Sequence, residues 1–584
     1  MRMKFLYVFW AFCVCAVSCC GLDREAFTFT QYDLNVRIEP EQQRLAVRGN
    51  VILRNDSTSP QKHAVLQISS TLSWRSIQSQ EKALQFVAQP YASDIDHTGE
   101  LSEAIVTLPA EIPPKGTLAL EIAYEGTIPL DTTRLTRIGT PKEVASHTDW
   151  DQINQSFTAV RGVGYVAWYP LAMESANLSE GNSVFEAIGR WKARERESNM
   201  QLEINYSPAN VEGSPILLCN GKSPTRGKKE NPNEFLVTKC SFEPIGATVP
   251  AFAASNYNTF AGPALRVYHL PQHASEAESY SKMAETVVPL VTDWFGAPRE
   301  KAEVMELPDP GEAPFESGRL LLTPLRDDDP KFVQMTLAHE LTHAAFLSPR
   351  PWIYEGLAHF AQALYRERQD GRQAALDYMG LHRAALLQAE TPSAPTTVSS
   401  SSSSKAASPD PHSLQPLVTT FEEVFYRSKA VYVWWMLRDM IGDDALKKAL
   451  AAYQPEHDRE PTYMQHLIEA HAKRDVGWFF DDWIYRDRGL PDFRVLSVYP
   501  SKTSQAGYLV TITVENLGGA GTEVPVTLHI EGGEVTKRVV VHGHATGVIR
   551  ITVPSTPQKV VVNDGSVPEI DMTNNTFKIT GLSK

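Results

Sequence analysis

The stretch from Thr336 to Gln362 holds the residues with the most chemistry in them. His339 and His343 stand four residues apart. On a helix that spacing puts both imidazoles on one face, a turn apart, where they can point at one metal ion. Glu340 is one residue past His339, about 100° further round the axis. It would flank the metal and reach the water such a metal activates, without ligating the ion itself. Catalytic zinc usually takes three protein ligands and leaves a fourth position for water. Glu355, at the end of an eleven-residue link from His343, is the natural third donor. With 16 histidines in 584 residues, a chance His-Glu-x-x-His is uncommon, and a carboxylate heading the next helix makes it rarer still. His359, four residues after Glu355, reads as a packing or supporting residue.

The elements that must position these groups are legible nearby. Asp329 is a good N-cap and Pro330 suits a first helical turn. Phe332, Val333, Met335, Leu337, Ala338 and Leu341 then supply an apolar surround. Ser348-Pro349-Arg350-Pro351 should stop the helix. A second helical pattern runs from Glu355 to Arg368 and ends at Asp370-Gly371. The link between them, with its two prolines, allows the second helix to fold back on the first.

At these residues the sequence resembles the gluzincin metallopeptidases, specifically the aminopeptidase N and leukotriene-hydrolase family. His339-Glu340-x-x-His343 and the Tyr354-Glu355-Gly356-Leu357-Ala358 segment carry the likeness. The family's gap between the second histidine and the glutamate is about two helical turns longer. The resemblance implies one zinc ion per chain on His339, His343 and Glu355, with Glu340 as general base. It also implies a loop that binds the substrate's free amino terminus. Gly311 to Gly318 stands where the family has Gly-x-Met-Glu-Asn, so Phe315-Glu316-Ser317 replaces Met-Glu-Asn, and Glu316 would pair with an ammonium and fix where the peptide is cut. A third signature, a helix-start tyrosine, falls on Phe425-Tyr426-Arg427-Ser428-Lys429-Ala430. Tyr426 would donate to the oxygen that gains charge, with Tyr432 as its rival. The tyrosine-to-lysine spacing here is one residue longer than the family's.

Residues 1–22 read as a secretory signal: Arg2 and Lys4, an apolar run from Phe5 to Val17, then Ala16-Val17-Ser18-Cys19. The last four also resemble a bacterial lipobox with Cys19 as the lipidated residue, which would make membrane attachment possible through that cysteine only. The expected location is exported: periplasmic or anchored at an outer membrane if bacterial, otherwise secreted. Of six cysteines, four lie in this segment. Cys219 and Cys240 remain, and in an oxidising compartment they should pair. A net charge of −14 and a pI near 5.7 argue against a nucleic-acid partner.

The chain is expected to be a multidomain α+β protein. An N-terminal all-β sandwich or saddle spans 23–262, and its alternation is visible in Tyr32–Ile38, Leu45–Leu53 and Leu118–Tyr124. A mainly helical, thermolysin-like catalytic domain spans 263–490. Within it, residues 391–416 carry six consecutive serines and read as a disordered loop. Residues 491–584 return to short alternating strands at the spacing of an Ig-like sandwich. The family's large C-terminal helical domain has no counterpart in this pattern, and neither has a PDZ module.

The implied activity is a zinc-dependent aminopeptidase acting on peptides. Alternatives within hydrolases are an endopeptidase or carboxyl-side exopeptidase with Glu316 structural, and an epoxide-hydrolase side activity. A reading of another class is a surface binding protein with a vestigial zinc site. The intact Glu340 argues against it, since a purely structural site has no need of a base.

Overall fold

The computed structural model describes residues 22–580, apart from 181–182, 208–214, 227–235, 247, 299–300, 319, 327–328, 391–415, 421 and 504–506. The proposed signal, Cys19 and nearly all of the serine-rich segment lie outside the described residues.

The N-terminal part is built on an eight-stranded sheet. Its centre is Phe27–Glu39, antiparallel to Arg44–Asn55 and parallel to Asn199–Tyr206. Strict alternation explains why this strand forms: Tyr32, Leu34, Val36 and Ile38 face the core, and the residues between them face solvent. A three-stranded sheet of Gln61–Ser69, Phe86–Ala92 and Glu100–Ile112 packs with it around one apolar core. The expectation of β structure alone is corrected by three helices, Thr133–Arg137, Lys142–Thr148 and Ser183–Arg194. In the last, Val184, Ala187 and Trp191 are buried at a spacing of three and four residues, which marks a helix face, and Gly189 between them is buried as well.

A five-stranded sheet follows, in the order Asn258–Ala261, Leu265–His269, Ala302–Glu306, Leu320–Thr323, Phe315–Ser317. The chain then becomes helical: Ala274–Phe295 lies against Pro330–Ala345, which lies against Pro351–Asp370, which lies against both Arg372–Glu390 and Ala430–Ile441. The last of these helices is buried almost all round, from Val431 to Leu437.

The C-terminal part is a sandwich. Phe493–Thr503, Gly507–Asn516 and Thr546–Val553 form one sheet; Gly533–Val541, Thr522–Ile530, Pro557–Val562 and Thr576–Lys578 form the other. Its apolar interior is continuous with that of the helical body. Polar contacts seal the join: Trp483 Nε1 donates to Gly521 O at 2.8 Å, and Arg383 donates to Glu569 O at 2.6 Å. Among the described residues no helix is long and apolar enough to cross a membrane.

Candidate metal centre and substrate cleft

Helix Pro330–Ala345 starts as its sequence dictates. The Asp329 carboxylate accepts from Lys331 N at 2.9 Å, and Pro330 fills the first turn. Leu337, Ala338 and Leu341 are buried against the core, whereas Phe332 is 60 % exposed and takes no part in it, contrary to the expectation. The second helix begins earlier than expected, at Pro351, so Glu355 lies just past its first turn, not at its head. Proline is tolerated there because its missing N–H would have no helical partner in any case. Gly371 ends the helix with φ of 87°.

The two helices bring the imidazoles and carboxylates together. His339 Nε2 and His343 Nε2 lie 3.1 Å apart, both on buried residues. Glu316 Oε1, from the short strand Phe315–Ser317, is 2.9 Å from each of them. Glu355 approaches the same pair at 3.8 Å with each of its oxygens. The nearest carboxylate to the imidazole pair is therefore Glu316, with Glu355 just behind it. Glu340 is fully buried beside them, and among the described residues neither of its oxygens has a hydrogen-bond partner.

The electrostatics follow from that crowding. Burial, together with the charges of Glu316 and Glu355, pushes the Glu340 carboxyl well above the usual carboxylate range. For Glu316 burial pulls the same way, but His339 and then His343 outweigh it and hold the carboxylate well below that range. Burial also acts to raise Glu355, and is outweighed first by Arg427, whose Nε lies 3.5 Å from Glu355 Oε2.

The donor set suits zinc. Two imidazole nitrogens and a carboxylate oxygen within a few ångströms are the ligand types of a three-residue catalytic site. The orphaned Glu340 oxygens are the second mark: a buried carboxylate without a donor is costly unless a cation or a proton faces it.

The Glu316 strand is gripped from the N-terminal part. Asn220 Nδ2 donates to Ser317 Oγ and to Val249 O, both at 2.8 Å, while its carbonyl accepts from Ala251 N at 2.8 Å. Arg161, held by Asp151, lies 3.8 Å from the Trp150 ring centroid and 3.6 Å from that of Tyr165, and Tyr165 meets Phe315 edge-on at 5.6 Å. Cys219, next to Asn220, is disulfide-bonded to Cys240.

Residues Val424–Lys429 are wound as a π-helix that runs into Ala430–Ile441. A turn of this kind takes in more residues than a regular helical turn. Tyr426 lines a recess together with Glu355. Tyr432 does not face the site: its hydroxyl donates to Met379 O at 2.9 Å, deep in the core. Lys429 is fully buried between Glu390 and Asp487. His359 supports the site, its ring edge-on to His339 at 4.8 Å and its Nδ1 at 3.2 Å from Tyr378 Oη.

Two site residues escaped the sequence. Tyr354 lays its ring on His343, with 3.9 Å between centroids. Arg427 sits between Glu355 and Glu423. The signal for Tyr354 was adjacency to Glu355. Arg427 carried none, because the π-turn rather than the spacing directs it at Glu355.

No family model matches the sequence, and no curated protein matches it. Solved structures do match. Aminopeptidase A from Legionella pneumophila, crystallised with aspartic acid, superposes with a TM-score of 0.56 at 14% identity, over 93% of this chain and 59% of that one. This chain thus spans about three-fifths of the Legionella enzyme's length. The M1 zinc metallopeptidase from Deinococcus radiodurans is matched in two forms. A mutant has a TM-score of 0.43 at 17% identity over 80% of this chain and 96% of that one. The other form has a TM-score of 0.42 at 16% identity over 76% and 90%. The likeness to the Legionella enzyme is one of fold, and it runs over nearly the whole of this chain.

Proposed function

We propose that the chain is a zinc-dependent aminopeptidase that removes residues from the free amino terminus of peptides. The observation that carries this reading is the pair of imidazole nitrogens 3.1 Å apart with the partnerless Glu340 beside them. His339, His343 and Glu355 would hold the ion. When bound, zinc supplies a Lewis acid and lowers the pKa of a water from 15.7 towards about 7. Glu340 takes the proton from the attacking water and passes it to the leaving amine. Tyr426 donates to the carbonyl oxygen as it gains charge. Glu316 holds the substrate ammonium. Incubation with one short peptide, amino terminus free or acetylated, tests this. Cleavage of the free form alone, lost to a chelator and restored by zinc, is the expected result. Cleavage of both removes the Glu316 anchor and leaves an endopeptidase.

A second reading of the ligand set is favoured by one distance: Glu316 Oε1 lies nearer both imidazoles than Glu355 does. Zinc content of Glu316→Gln and Glu355→Gln, by atomic emission after dialysis, separates the two. Loss in the Glu355 variant alone supports the first set, and loss in the Glu316 variant alone the second. Export belongs to the same proposal, supported by the Phe5–Val17 run and by the disulfide, which is at home in an oxidising compartment.

A further inference from the structure

Nothing polar fastens the Tyr426 hydroxyl: among the described residues it makes no hydrogen bond. Its place is therefore set by the π-turn that carries it. Such turns are rare and gather at functional sites. This one is tied down by the three residues that follow the tyrosine. Arg427 meets Glu355 and Glu423, and Lys429 meets Glu390 and Asp487. Attraction between charges falls off slowly with distance and tolerates a small shift. The contact of Ser428 is directional: its Oγ lies 3.0 Å from His382 Nδ1.

That bond ends a chain that crosses the helical body. The other end is Met335 O, on helix Pro330–Ala345, which can only accept. Gln362 Nε2 therefore donates to it at 3.3 Å, which leaves Gln362 Oε1 to accept from Tyr378 Oη at 2.7 Å. With its proton so placed, the Tyr378 oxygen receives from both imidazoles around it, His359 Nδ1 at 3.2 Å and His382 Nε2 at 3.1 Å. His382 then carries its proton on Nε2 and accepts from Ser428 on Nδ1. Burial, followed by Arg427 and His339, holds His382 down at about 4, so the ring stays neutral with one nitrogen of each kind. Tyr378 and His382 stand four residues apart on helix Arg372–Glu390, on one face of it. The chain thus joins the two helices of the metal centre to the turn after Tyr426.

We propose that His382 is a positioning residue for Tyr426: through Ser428 it fixes the π-turn, and with it the place of the tyrosine hydroxyl. The proposal rests on the reading of Tyr426 as donor to the carbonyl oxygen that gains charge. That donation acts in the transition state and not on the bound substrate, so loss of His382 belongs in kcat and leaves KM alone.

His382→Phe keeps a planar ring and removes both hydrogen bonds, and Ser428→Ala breaks the same bond from the other end. In either variant kcat should fall about tenfold, a fraction of what a 1 Å misplacement costs. KM and zinc content should stay within about twofold of wild type. His382→Gln, whose amide has both a donor and an acceptor, should recover most of the rate. Tyr426→Phe alone should be slower by about 10²-fold, and adding His382→Phe to it should cost less than about twofold more. A readout free of turnover comes from 3-fluorotyrosine incorporated in place of Tyr426. Its fluorine resonance should move in His382→Phe and in Ser428→Ala, and return in His382→Gln. The positioning role is overturned by an unmoved resonance, or by an undiminished loss when His382→Phe is added to Tyr426→Phe. A resonance that moves as expected in protein that cuts no peptide overturns the peptidase reading alone.

Discussion

Gly356 is the residue after Glu355, and its Cα faces the helix Ala430–Ile441 at close range. A β-carbon built on it would lie 2.6 Å from Ala430 Cβ, 3.0 Å from Trp434 Nε1 and 3.1 Å from Trp434 Cδ1. Carbon atoms in contact settle at about 3.5–4.0 Å, so Gly356→Ala must part the two helices by about 1 Å. Overpacking of this kind costs about 1–3 kcal/mol. Replacing a helical glycine by alanine returns about 1 kcal/mol. The net loss of stability is therefore small, about 0–2 kcal/mol, or a few degrees in Tm. The displacement falls on the backbone of Glu355 itself. A 1 Å misplacement of a reacting group costs about a hundredfold in rate. We therefore expect Gly356→Ala to fold, to melt within a few degrees of wild type, and to lose about two orders of magnitude in kcat/KM. Paired thermal melts and peptide turnover measure both. Turnover within about threefold of wild type in a folded Gly356→Ala protein would refute the coupling of this helix contact to the metal centre.

Glu340→Gln should keep its zinc while kcat falls by about 10²–10⁴, the range for loss of a general base, with metal content and turnover measured on one preparation. Chelation should lower Tm as well as abolish turnover, because an ion that binds only the folded chain stabilises it; an unchanged melt would mean that no metal is bound there. Asn220→Ala should free Ser317 and raise KM for peptides with a free amino terminus by about tenfold, while acetylated peptides are unaffected; an equal change in both would sever Asn220 from the Glu316 anchor. Burial pushes Glu195 up to about 7 in the fold, against an ordinary glutamate value of 4.5. Between those values the folded chain keeps a proton that the unfolded chain has lost, so stability falls as pH rises through this window, by about 3 kcal/mol for this one group. Urea melts at pH 4 and pH 8 should show Glu195→Gln gaining on wild type by that order, and parallel pH profiles for the two proteins would refute it.

How far the sequence could be read depended on how local each cause is. The Asp329 cap, the Pro330 start and the imidazole pair four residues apart all depend on one or two turns of helix, and each appears in the structure. The strands Tyr32–Ile38, Leu45–Leu53 and Leu118–Tyr124 were legible because one face of each is buried, which imposes a period of two. The pairing of Cys219 with Cys240 needed only elimination. Phe332 misled because an apolar residue in a helical run need not face the core. The start of the Glu355 helix was misplaced because Pro351 serves equally as a stop for one helix and a first turn for the next. The helix Ser183–Arg194 was missed within a stretch read as strands, since its buried face is short and broken by charged residues. Glu316 was legible as a carboxylate beside the metal only through the resemblance, whereas its closer approach to both imidazoles than Glu355 depends on the short strand Phe315–Ser317. The nearness of Lys192 to Tyr426 is a fact about segments far apart in the chain.

The wide turn at Val424–Lys429 bears on how such a chain can change over time. A regular helix rotates about 100° per residue, so one added residue swings everything after it off its packing face. A π-turn takes up that residue where it is added. Ala430, Trp434 and Trp435 remain in the core while Tyr426 keeps its place at the cleft. Gain or loss of a single residue is therefore nearly silent at this one point, in the segment that bears a site tyrosine, though it would disrupt packing almost anywhere else in the helix. Counts of residues between site groups can drift there while the groups themselves stand still. Kinship among chains of this shape is then written in where side chains meet, not in how many residues separate them.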